Sequence, residues 1–190
     1  MSAPVYAALV HHPVRDRAGG IVTSAITNVD VHDLARSSRT YGLRGYFVVS
    51  PIAAQRLLVE RILDHWENGA GKRRVPERSR ALAITHPVAS VDEARDRIVA
   101  AESSAPIVIA TGARAPDGRT ALSWAEGRAL ALSADRAPIL ILFGTAHGLH
   151  GSLIDASAHV LAPIQPASDF NHLSVRAAAA ITFDRLLGDR

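Results

Sequence analysis

The sequence predicts an α/β fold, a mostly parallel sheet flanked by helices, in one domain over residues 1–190. Short, continuously apolar runs alternate along the chain with segments of helical period, joined by short connections without an internal repeat or linker. Parallel strands need helical crossovers, and this alternation supplies them. With 190 residues, 48% of them hydrophobic, the chain is also the right size for a single core.

Residues 5–10 are apolar throughout, as expected of a first strand buried on both faces. A glycine-bearing connection at 15–20 follows. Asp30, with Asp33 three residues on, is a candidate N-cap for a helix reaching Gly42. Its inward stripe is Val31, Leu34, Ala35 and Ser38, and another face carries His32, Arg36 and Arg39. Residues 43–49 read as the second strand. Pro51 suits the first turn of a helix running to Trp66, with Leu58, Val59, Ile62, Leu63 and Trp66 inward. A basic loop comes next, then a third strand at 81–85 and a third helix at 91–101 with Val91, Ala94, Ile98 and Ala101 inward. Residues 106–110 form the fourth strand and end in turn formers at 111–118. A fourth helix covers 122–133. Residues 138–143 are the most hydrophobic strand and the expected centre of the sheet. A glycine-rich turn, a last strand at 159–164 and a helix at 171–187 with an alanine patch at 177–180 complete the chain.

Composition narrows the function classes. The absence of cysteine excludes disulfides, thiolate metal sites and a cysteine nucleophile. No apolar run approaches the roughly 20 residues that span a bilayer. The N-terminus lacks the basic region of a signal peptide, so a cytoplasmic protein is expected. Net charge is only +3, and Lys72 is the single lysine among 21 basic residues. Arginine suits phosphate recognition, and a compositional bias of the genome explains the excess equally well. One stretch, 67–80, carries Lys72, Arg73, Arg74, Arg78 and Arg80 against Glu67 and Glu77. It is either a solvated face or an RNA-docking surface.

Ligands of such sheets sit beyond the carboxyl ends of the strands. Between the first strand and first helix the sequence reads His11-His-Pro-Val-Arg-Asp-Arg-Ala-Gly-Gly20, which is no dinucleotide fingerprint, and no Walker loop occurs. The glycines fall instead after the fifth strand, at Gly144, Gly148 and Gly151, where they make a tight turn or let the backbone approach a ligand. Ser168, Asp169 or Asn171 can cap the last helix. His11 beside His12, and His147 three residues from His150, raise a metal site, but adjacent strand residues face opposite ways and no metal is expected.

These pieces together resemble the SPOUT superfamily of methyltransferases, whose members mostly methylate RNA with S-adenosylmethionine. Asn28-Val-Asp-Val-His-Asp-Leu-Ala-Arg-Ser-Ser-Arg-Thr-Tyr-Gly42 is similar to the family's first motif. Ile139-Leu-Ile-Leu-Phe-Gly-Thr-Ala-His-Gly-Leu149 is similar to the second. Pro163-Ile, followed by Asn171-His-Leu-Ser-Val-Arg-Ala-Ala-Ala, is similar to the third. The resemblance implies a C-terminal deep trefoil knot, S-adenosylmethionine as methyl donor, a homodimer, and tRNA or rRNA as partner. Cofactor contacts implied by the match are Thr111, Gly112, Gly144, Gly148, Leu149, Ile164, Leu173 and Ser174. Arg36 matches the motif arginine that lies beside the reacting group, with Asn28 to position the substrate and Asp169 as base or helix cap. Arg36, Arg39, Arg73 and Arg74 are the expected RNA contacts. Thr145-Ala-His147 stands where many ribose methylating relatives carry Asn-Glu, so the acceptor atom stays open. A knotted RNA-binding or assembly factor without transfer activity, and an unrelated α/β nucleotide-binding enzyme, are the alternatives.

Overall fold

The computed structural model describes residues 2–114, 118–133 and 137–189. In chain order the elements are β1 (Val5–Val10), β2 (Val14–Arg15), β3 (Ile21–Val22), α1 (Asn28–Thr40), β4 (Gly45–Val49) and α2 (Ala53–Glu67). They continue with α3 (Ala70–Arg74), α4 (Pro76–Leu82), β5 (Thr85–Val88), α5 (Val91–Glu102), β6 (Ile107–Ala110) and α6 (Trp124–Leu132). The last are β7 (Ile139–Gly144), α7 (Gly151–Ala156), β8 (His159–Val160) and α8 (Val175–Leu187). The main sheet has the order β5-β4-β1-β7-β6-β8, and every pairing in it is parallel. β2 and β3 form a separate antiparallel hairpin.

Strand β1 shows why apolar continuity marks a central parallel strand. Val5, Ala7 and Leu9 enter the core under α1, α6 and α8, while Tyr6, Ala8 and Val10 enter the opposite core under α5. β7, the most hydrophobic run, lies beside it at the middle of the sheet, as expected. Phe143 at its end meets Phe183 of α8 edge-on at 5.6 Å. The stripe Val31, Leu34, Ala35 and Ser38 of α1 is buried as its periodicity predicts.

Several expectations are corrected. The cap of α1 is Thr27, whose Oγ1 accepts from the Asp30 N–H at 3.2 Å and whose hydroxyl donates to Asp30 Oδ2 at 2.6 Å. Asp30 is thus the third helical residue, in a reciprocal capping arrangement. On α2 only Val59 is fully buried, and Leu58 stays 42% exposed. The basic stretch is not a loop but two short helices, α3 and α4, the second started by Pro76. Ala81 and Leu82, expected in a strand, are the buried face of α4. The strand lies further on, at Thr85–Val88, and tolerates Pro87 because it is the sheet edge. The last strand is confined to His159–Val160. The C-terminal helix starts at Val175 and is capped by Ser174, not by Ser168, Asp169 or Asn171. In the Ala177–180 patch Ala179 is fully buried and the other three alanines are partly exposed, while α8 lies on α1 and α6. Among the described residues, no helix is long and apolar enough to cross a membrane.

β8 sits in an unusual place. Its continuation takes a bond from each end of the loop that follows β6: the Leu161 N–H donates to Ala110 O at 2.9 Å, and the Leu122 N–H donates to Val160 O at 2.7 Å. Ala162 N–H returns to Leu122 O at 2.8 Å. The chain at 159–162 therefore runs between residues 110 and 122, the two ends of one loop.

Candidate functional site

The loops that follow β6, β7 and β8 leave one edge of the sheet together, because Ala110 pairs with both Leu142 and Val160. Thr111 ties the first loop to β7, its N–H and Oγ1 both donating to Leu142 O at 3.1 and 2.8 Å. Gly112 and Ala113 follow, exposed.

The 144–150 turn folds back so sharply that a Cβ at Gly144 would collide with the backbone of Gly148 and Leu149. Gly148 has φ +98°, a conformation that favours glycine. The turn is stitched to the chain after β1: the Arg15 N–H donates to Gly148 O at 2.9 Å, His147 N–H to Arg15 O at 3.0 Å, and His150 N–H to Pro13 O at 3.1 Å. The side chain of Leu149, one of the expected cofactor contacts, is 1% exposed and packed in the core with Val14, so its backbone is what faces the turn. His147 is exposed, and His150 caps α7 through Nδ1.

Thr145 was informative only as a departure from the second motif, yet it anchors this turn. Its hydroxyl donates to Val10 O at 3.0 Å, so the 2.5 Å contact with Ser24 must be donated by Ser24. Ser24 Oγ then accepts from His11 Nδ1 at 2.9 Å, which puts the His11 proton on Nδ1. His12 bonds Thr23 instead, so the adjacent histidines serve different hydroxyls. Burial pushes the His11 pKa down to about 4, against smaller upward pulls from Asp30 and the Ala25 carbonyl. The fold thus holds His11 neutral, while the unfolded chain takes up a proton below its ordinary value of 6.5. Stability contributed by this group is complete above pH 6.5 and falls as pH drops towards 4. At pH 5 the loss is about 2 kcal/mol. Urea unfolding at pH 7.5 and pH 5 checks this: the difference between the two should shrink by that amount in His11→Asn.

Residues 163–173 make no backbone–backbone hydrogen bond with any other described residue. The segment is held by side chains: Asn171 Nδ2 donates to Ala113 O at 3.0 Å, and Ser174 Oγ accepts from the Ala177 N–H. Ile164 is half-buried, Leu173 is 47% exposed, and Asp169 is exposed.

Helix α1 meets the start of α8. Arg176, at the start of α8, donates to Asp30 Oδ1 at 2.9 Å and lies 3.6 Å from Asp33 Oδ2. Asp33 in turn pairs with Arg36 at 3.8 Å. The motif arginine is therefore connected to α8 through one shared carboxylate. Arg36 and Arg39 are exposed, as are Arg73 and Arg74 on α3. Asn28 opens α1 and lines a cavity between α1 and α2, not the loop cluster at β6, β7 and β8. Among the described residues no group of three or more metal-ligating side chains occurs.

A family model described as SAM-dependent RNA methyltransferase matches residues 4–188. The chain belongs to this family. A tRNA (guanine-N(1)-)-methyltransferase of Oleidesulfovibrio alaskensis is 41% identical over 185 residues, which is 97% of this chain but 42% of that protein. The chain thus spans about two-fifths of the length of the curated relatives it matches first. Among solved structures, a probable methyltransferase from Bordetella pertussis has a TM-score of 0.61 at 15% identity, covering 97% of this chain and 94% of that one. The SpoU methyltransferase AviRb of Streptomyces viridochromogenes, solved with AdoMet, has a TM-score of 0.55 at 13% identity, covering 98% and 58%. These neighbours share the α/β fold.

The family's methyl donor carries an adenine, a ribose, a sulfonium and an amino-acid moiety. The loop cluster suits such a molecule, because the 163–173 backbone keeps donors and acceptors that make no backbone–backbone bond with other described residues, while the Phe170 N–H donates to Ser168 Oγ. Half-buried Ile164 supplies apolar surface beside them.

Proposed function

We propose that this chain transfers a methyl group from S-adenosylmethionine to a ribose or base of a structured RNA, acting as a homodimer of knotted domains that each span residues 1–190. The family match over residues 4–188 carries this reading. The chain at 159–162, running between both ends of the loop after β6, supports the knot. Thr111, Gly112, Gly144, Gly148, Leu149, Ile164, Leu173 and Ser174 would hold the donor, chiefly through backbone groups. When bound, it supplies an electrophilic methyl on a positive sulfur.

Transfer of such a methyl needs little acid catalysis, so alignment of the acceptor supplies most of the rate. Arg36, a donor with no acceptor site, would grip a phosphate beside the target and stabilise charge on the acceptor. Asp169, exposed on the 163–173 segment, would take the acceptor's proton. The name of the 41%-identical relative favours tRNA as the RNA. Its guanine-N1 chemistry is not carried over, since 58% of that protein lies outside the match. Calorimetry with S-adenosylmethionine and its demethylated product, followed by modification mass spectrometry of RNA from cells with and without the gene, tests the reading. No binding heat from either ligand would overturn it.

Arg73 and Arg74 lie exposed on α3 and would dock RNA phosphates. Reversing both to Glu should weaken RNA binding at least about tenfold at physiological salt and flatten its salt dependence. Fluorescence anisotropy across a salt series measures both effects.

A further inference from the structure

The structure brings together two features that lie far apart in sequence, the His32/Arg36 face of α1 and the basic helix α4. Beside them, between α1 and α2, is a 230 Å³ cavity lined by Asn28, His32, Arg61, Ile62, His65 and Trp66. It is smaller than the roughly 300–1,000 Å³ of ordinary small-molecule sites, which suits one planar ring system rather than a whole cofactor. Trp66 forms its floor. The indole rests on Gly71, where a Cβ would collide with the ring, and carries the Arg78 guanidinium 5.1 Å from its centre. His32 and His65 meet it edge-on at 5.6 and 5.5 Å.

His32 is the unusual wall residue. Its Nδ1 is buried and has no hydrogen-bond partner among the described residues. Burial, then the Arg78 charge, holds its pKa below the ordinary value, so the imidazole is neutral at physiological pH. A buried polar nitrogen without a partner costs stability unless a ligand satisfies it. Arg36 and Arg78 both act electrostatically on this imidazole, and Arg61 stands exposed at the wall. The acidic neighbours are largely engaged: Asp33 with Arg36 and Arg176, Asp64 with Asn68, and Glu77 with Arg80.

We propose that this cavity is a subsite for one unstacked base of the substrate RNA, with the flanking phosphates on Arg61, Arg78 and Arg36. Histidine rings and arginine planes stack on splayed-out bases. The proposal deepens the RNA methyltransferase reading and rests on it. It makes the substrate class a looped or single-stranded segment rather than a continuous duplex.

The test uses the full chain with a fluorescein-labelled single-stranded RNA octamer, the same octamer carrying one abasic position, and a duplex of equal length. Wild type should bind the intact octamer about tenfold more tightly than the abasic one or the duplex. Arg61→Gln/His65→Ala, both at exposed positions, should lose that preference with an unchanged melting temperature. In a Trp124→Phe background, the octamer should quench the emission of Trp66, the remaining tryptophan. Equal binding of intact and abasic RNA overturns the subsite alone, as does a variant whose preference persists. A variant altered only in dimerisation shows that a second copy fills the cavity, and also overturns it. Wild type that binds none of the three RNAs overturns the subsite and the methyltransferase reading together.

Discussion

Gly144→Ala is expected to weaken S-adenosylmethionine binding by about 100-fold, and Gly144→Trp to abolish it. The first added atom at this position would meet the backbone of Gly148 and Leu149, which unlike a side chain cannot rotate away. Relief requires the turn to open, and it is closed by the bonds from Arg15, His147 and His150 described above. Losing two or three such bonds costs about 2–4 kcal/mol, and every 1.4 kcal/mol is tenfold in affinity. The other two glycines provide an internal scale. Gly148 has little around it but a φ of +98°, so Ala there carries backbone strain alone, about 1–2 kcal/mol. Gly151 has neither a neighbour within 4 Å nor a positive φ, and Gly151→Ala should bind cofactor like the wild type. Calorimetry on the three variants, with thermal melts to confirm folding, should rank them in that order. Equal affinities across the series would show that the turn does not form the cofactor site.

This ranking also marks how far the sequence was legible. The three glycines looked alike as letters, and only the path of the chain separates a contact-limited glycine from a φ-limited one and an unconstrained one. Local signals carried further where the pattern was strong. β1 and β7 were readable because burial on both faces demands apolar continuity, and α5 because Val91, Ala94 and Ile98 recur at helical spacing and are buried, although Ala101, expected inward with them, is exposed. The basic stretch failed for a physical reason. Gly69, Gly71 and Pro76 look like loop punctuation, but Gly71 lets α3 lie flat on the Trp66 ring and Pro76 opens α4. Displacement of the third strand followed from that error. Of the site, the motif resemblance pointed to loops that the fold brings to one end of the sheet, but it could not tell that the Leu149 side chain lies in the core. It could not reveal the His11–Ser24–Thr145 chain, whose Ser24–Thr145 link joins residues 121 apart. The contact between the α1 face and α4 was equally invisible, since amphipathic period says which residues face out, not which helix arrives beside them.

Arg176→Ala should destabilise the protein by about 2 kcal/mol and weaken cofactor and RNA binding together. Asp30 is only 12% exposed at its side chain and keeps just the Thr27 cap when the guanidinium is removed. Breaking a fully buried pair from one side costs about 3–5 kcal/mol. Arg176 itself is 36% exposed, so water can partly replace it and the smaller figure applies. For a chain of this size that is a fall of roughly 4–8 °C in melting temperature. The damage should be local to the start of α8, because Phe183 and Leu186 remain in the core and Tyr41 still donates to Asp184. The start of α8 is also where the 163–173 segment is anchored, so faster amide exchange at 175–178 should accompany the lost cofactor affinity. The RNA effect has a separate cause. Asp33 is shared between Arg176 and Arg36, and without Arg176 its full charge falls on Arg36, which is then less free to meet a phosphate. Adding Asp33→Asn to Arg176→Ala should therefore restore RNA binding while leaving the stability loss in place. If the second substitution restores neither, the shared carboxylate does not couple α8 to Arg36, and the two helices act on their ligands independently.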